Sequence, residues 1–80
     1  MSIKFLRLPS ILSARGCGKS KHYADIRDGL FVPSVALGAR AQGTAQHELE
    51  AINSARLAGK SDDEIRALVR QLIDQRKVVA

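Results

Sequence analysis

Apolar residues recur at helical spacing near the end of this 80-residue chain. Ile65, Leu68, Val69, Leu72 and Ile73 fall at i, i+3, i+4, i+7 and i+8, which predicts an amphipathic helix. Ser61-Asp62-Asp63-Glu64 opens it as a capping box, and Arg66 and Arg70 occupy its polar side. Upstream, Leu49 and Ile52 with the small Ala45 and Ala55 form a narrower stripe. That stripe predicts a helix from a Thr44 N-cap to Ala58, closed by Gly59, with Gln46, Glu48 and Glu50 in its first turns. Between Leu30 and Gly43, Pro33 excludes a helix interior. Val35 and Leu37 alternate there with Ser34 and Ala36 as in a half-buried strand. Gly38 supplies a turn and Gln42–Thr44 a short return strand, giving a small hairpin with Arg40 near its tip.

The first thirty residues predict two short helices. Ile3 to Leu8 reads as an extended lead-in, and Pro9 suits the first turn of a helix carrying Ile11 and Leu12. Gly16 ends that helix, and a second runs from Lys19 to Asp28 before Gly29. Tyr23 and Ile26, three apart, form its expected back face. Both helices are too short to persist without packing on something else. The expected fold is mainly α with a small β-hairpin: a winged helix-turn-helix of about four helices. Residues 1–59 are expected to form the winged helix-turn-helix unit and residues 60–80 the C-terminal amphipathic helix. That last helix either covers the small core or offers its apolar stripe as an interface.

Charge sharpens this picture by its placement. Residues 1–40 hold seven Lys or Arg against two acids, so the whole net charge of +5 lies there, and residues 41–80 balance. Such asymmetry is expected when one surface meets a polyanion. The second helix opens with Lys19, Ser20 and Lys21, where backbone N–H groups and the helix dipole already favour a phosphate. A helix with a basic, polar leading turn suits the major groove of double-stranded DNA, and a hairpin after it suits a wing. Arg40 either touches DNA from that wing or pairs with an acid.

Other chemistry is thin. Gly18-Lys19-Ser20 ends like a phosphate-binding loop, but the required earlier Gly is Ser13, no strand leads in, and the chain is short for a nucleotide-binding domain. One cysteine, Cys17, excludes an intramolecular disulfide; it is either a small residue buried in the turn or a reactive thiol beside Lys19. His47 has no partners for a metal site, and no nucleophile–base pair or carboxylate pair emerges, so neither an enzyme nor a cofactor or metal is expected. No apolar run has the length of a membrane span, and Lys4 and Arg7 interrupt the opening segment as a signal peptide, so the expected location is the cytoplasm.

These residues in this order resemble the AlpA family, small prophage regulators with a MerR-like winged helix, related to phage excisionases. The resemblance starts at Phe5-Leu6-Arg7-Leu8-Pro9 and continues through Gly16-Cys17-Gly18-Lys19-Ser20-Lys21-His22-Tyr23, similar to the family's Gly-Leu-Ser-Arg-Ser-Thr-Ile-Tyr. It runs on through Asp28-Gly29-Leu30-Phe31, Val35 to Ala41, and Glu48-Leu49-Glu50-Ala51-Ile52, covering residues 5–56. The chain departs at Ala36, Ala39 and Thr44, where the family usually has Lys, Pro and Trp. The resemblance implies Lys19, Ser20 and Lys21 at the major groove, Arg27 near a phosphate and Arg40 on the wing. It also implies a transcriptional regulator, or an excisionase that self-associates on DNA and directs a recombinase. The other function class in view is a non-catalytic adaptor that engages a protein partner through the last helix.

Overall fold

The computed structural model describes residues 2–79, with side chains as far as Lys77. Four helices and a small antiparallel sheet succeed one another as β1 (Phe5–Leu6), α1 (Leu8–Arg15), α2 (Lys19–Arg27), β2 (Val35–Ala36), β3 (Gln42–Ala45), α3 (Gln46–Leu57) and α4 (Asp62–Val79). Gly16 stops α1 in the left-handed conformation at φ 68°, returning its N–H to the carbonyls of Leu12 and Ser13. At the start of α4 the capping box closes reciprocally. The Ser61 amide donates to Glu64 Oε1 (3.1 Å) and the Glu64 amide donates to Ser61 Oγ (3.2 Å).

The expected two-stranded hairpin is the outer part of a three-stranded sheet ordered β1-β3-β2. Phe5 faces Ala45 and Leu6 faces Thr44 on one side of β3, while Val35 faces Gly43 on the other. The lead-in therefore gains a partner that no local pattern announces. Gly43 is needed at the centre: a Cβ there would lie 2.9 Å from both Leu37 Cδ1 and the Leu6 carbonyl oxygen. The same pairing corrects the expected cap of α3. Thr44 is held in β3 opposite Leu6 and buried, and the cap position falls to Ala45, which makes no side-chain capping bond.

One core gathers Ile11 of α1, the consecutive Leu30, Phe31 and Val32, Leu49 and Ile52 of α3, and Ile65, Val69 and Leu72 of α4. Most of the apolar stripe of α4 is thus internal. Arg66 strengthens the attachment, donating from Nε to the Asp28 carbonyl at 3.0 Å and so tying α4 to the end of α2. At the other end of α4, Arg76 donates to both carboxylate oxygens of the buried Glu48 (2.6 and 2.8 Å) and to the Pro33 carbonyl (3.0 Å), joining α4, α3 and the root of the hairpin. No helix among the described residues is long and apolar enough to cross a membrane.

Candidate nucleic-acid interface

The turn Gly16–Gly18 delivers the chain from α1 into α2, whose first three residues are Lys19, Ser20 and Lys21. All three are exposed, and Gly18 at the cap offers no side chain to the free N–H groups. Lys19 makes no ion pair among the described residues, so its charge is fully available to a ligand. Arg27, at the far end of α2, is exposed and has only a 3.4 Å contact with the neighbouring Asp28. Contacts of that kind hold little energy.

The back face of α2 differs from expectation. Tyr23 does not anchor the helix; it is 49% exposed, while His22 (2%) and Asp25 (3%) point inward. Ile26 packs at the edge of the core. The reason is a polar clamp from α1. Arg15 Nη2 donates to Asp25 Oδ2 at 2.6 Å and its Nη1 donates to His22 Nδ1 at 2.9 Å. The Arg15 guanidinium also lies 4.2 Å from the centre of the Phe31 ring, a cation–π contact. Lys21 Nζ donates to the other Asp25 oxygen at 2.7 Å.

Because arginine can only donate, His22 Nδ1 accepts and the imidazole is neutral, with its proton on Nε2. Burial, then the positive charge of Arg15, pushes the His22 pKa below its ordinary value, and Asp25 opposes this only in part. For Asp25 burial pushes the carboxyl up, but hydrogen bonds and charge from Lys21 and Arg15 more than reverse it and leave it below the usual carboxylate range. Arg15, one of the seven cations of the basic half, is therefore an internal strut.

Arg40 sits at the exposed tip between β2 and β3 and makes no ion pair among the described residues. It shares an open cleft of about 390 Å³ with Arg7, Pro9, Gly38 and Ala39. Arg7 is the residue that sequence reasoning missed. Its signal was present, an arginine just before a helix, but only the β1–β3 pairing carries it to the hairpin. The cleft lies at the N-terminus of α1 and Lys19–Lys21 follow its C-terminus. The eight residues of α1, about 12 Å of helix at 1.5 Å per residue, lie between them in the chain. The arrangement is two cationic groups flanking α1, with α2 leading from one of them.

A second concavity, about 400 Å³, lies between the sheet and α4 and is apolar, lined by Ile3, Phe5, Val35, Ala45 and Leu72 above the Glu48–Arg76 pair. Among the described residues no three His, Cys, Asp or Glu side chains cluster so as to hold a metal ion. Cys17 is half-buried in the turn before α2. No family model, curated protein or solved structure matches the chain.

Proposed function

We propose that this chain is a sequence-specific binder of double-stranded DNA with no catalytic chemistry, built as a winged helix-turn-helix. In this reading α2 enters the major groove and the β2–β3 hairpin is the wing. The observation that carries it is the orientation of α2: Lys19, Ser20 and Lys21 face solvent at an uncapped helix start while the opposite face is locked to α1 and Phe31. A second exposed cationic group, Arg7 with Arg40 beside the hairpin, supports it. Lys19 and Lys21 donate to base edges or phosphates from the leading turn, Arg27 meets a phosphate, and Arg40 with Arg7 contacts the backbone beside the wing. The resemblance to AlpA regulators points the same way. On that resemblance we read it as a protein of a prophage or mobile element, acting in the cytoplasm as a transcriptional regulator or as an excisionase with a recombinase.

The second reading, a non-catalytic adaptor, draws on the apolar groove between the sheet and α4. It does not have the main stripe of α4 to use, because Ile65, Val69 and Leu72 are in the core.

The test is to select duplexes from a random pool and titrate them beside scrambled ones. Lys21→Ala is expected to cost discrimination between them by about 1–3 kcal/mol, the size of one good base contact. Arg40→Ala is expected to weaken both duplexes equally. A protein that binds no duplex at low salt is not a DNA-binding protein, and one that binds but enriches none is not sequence-specific. Equal losses on both duplexes for Lys21→Ala would remove Lys21 as a base reader.

A further inference from the structure

The acid that pins α2 to α1 also holds one of the lysines offered to DNA. We infer that Asp25 and Arg15 are positioning residues for Lys21, and that this tether, rather than the charge of Lys21 alone, gives the interface its sequence preference. The inference rests on the DNA-binding reading.

Arg15 divides its donors between two acceptors. Arginine and a carboxylate commonly meet through two parallel hydrogen bonds, which would occupy both oxygens of Asp25. Here Arg15 gives Asp25 one bond only and spends the other guanidinium nitrogen on His22. The fork is held in this split geometry by Phe31 beneath it and by His22, whose own ring meets Phe31 edge-on at 5.1 Å between centroids. Asp25 Oδ1 is thereby left for Lys21, and among the described residues no other donor takes it. The carboxylate is 4% exposed and cannot be satisfied by bulk water on that side, whereas the Lys21 side chain is 62% exposed. The ammonium thus has one proton committed inward, and its remaining two can face a ligand.

A free surface lysine loses rotamer freedom when it docks and can reach several neighbouring acceptors. Lys21 has already lost part of that freedom in the folded protein. It donates from a point fixed relative to α1 and α2, and a fixed donor discriminates between base edges where a swinging one does not. Lys19, two residues earlier and in no ion pair among the described residues, retains its reach and suits phosphates. The two lysines of one helical turn therefore have different tasks.

The deciding variant is Arg15→Gln with Asp25→Asn. It removes one positive and one negative charge together, so net charge is unchanged, and the two amides can still bond to each other. The expected result is a folded protein whose affinity for scrambled DNA and salt dependence are unchanged within twofold. Its preference for the selected duplex is expected to fall at least tenfold, to the level of Lys21→Met. A folded double variant that keeps its preference overturns the tether. If the double variant does not fold, NMR order parameters of the lysine side-chain ends in the wild-type protein decide. Lys21 Cε is expected to be more ordered than Lys19 Cε, and equal values overturn the inference. A wild-type protein that prefers no duplex overturns the DNA-binding reading itself, and the order parameters still report whether the tether exists.

Discussion

Helix α2 turns His22 and Asp25 inward, whereas helix α4 turns Ile65, Val69 and Leu72 inward. Each apolar side chain of α4 that leaves water contributes roughly 1.5–3 kcal/mol whatever its orientation in detail, so the helix is held strongly and without directional demand. α2 lacks such a stripe. Its attachment depends on a guanidinium meeting a carboxylate and an imidazole at hydrogen-bond distance. Such a buried polar cluster adds little net stability, but it tolerates only one geometry. The two helices thus divide the labour: α4 holds the small domain together, and the clamp sets α2 at a defined angle to α1.

The largest expected effect comes from breaking the clamp on one side. Asp25→Ala strands the Arg15 guanidinium, whose side chain is 9% exposed, and is expected to destabilise by about 3–5 kcal/mol. In a domain this size that is a large part of the whole stability. Urea denaturation measures it, and a loss below about 1 kcal/mol would mean that α2 is docked by something other than the clamp.

Ile65→Ala attacks the other helix. Ile65 is fully buried, and its truncation is expected to cost about 2–5 kcal/mol according to how far the cavity collapses. DNA affinity measured where the variant is still folded should be unchanged. A parallel loss of affinity would break the proposed separation between the two helices.

How much of this was legible follows the same divide. The stripe of α4, its capping box and the glycines after α1, α2 and α3 could be read because periodicity and caps are local signals. The inward face of α2 could not. Arg15, His22 and Asp25 have the composition of a solvated surface, and Tyr23 is the residue a hydrophobicity argument selects. Only the fold brings Arg15 against Phe31, sixteen positions away. β1 was equally hidden, because two residues carry no periodicity and the partner strand lies some forty residues on. With β1 went the burial of Thr44 and the place of Arg7 beside Arg40. Of the candidate DNA-contacting residues, Lys19, Ser20, Lys21, Arg27 and Arg40 are all exposed as the sequence suggested. The pairing of Lys21 with Asp25 at i,i+4 was open to reading but has meaning only once Asp25 is known to be buried.

A smaller effect separates the helices by pH. His22 has its pKa lowered in the folded protein, so the unfolded chain takes up the proton first. The contribution of His22 is fully present above the unfolded value, about 6.5, and is lost as pH falls below it, by at most about 1.4 kcal/mol per pH unit. Thermal melting between pH 7 and pH 5 reads that loss. His22→Gln, whose amide oxygen can still accept from Arg15, is expected to flatten the dependence. An unchanged dependence in that variant would place its origin elsewhere.

The central claim is that the exposed cations of the first forty residues meet a polyanion. The direct measurement is the DNA affinity of the wild-type protein across a salt series. If Lys19, Arg27, Arg40 and Arg7 each displace a counterion, log K is expected to fall against log salt with a slope of about −3 to −4. A flat response, or no binding to any duplex at low salt, would contradict it.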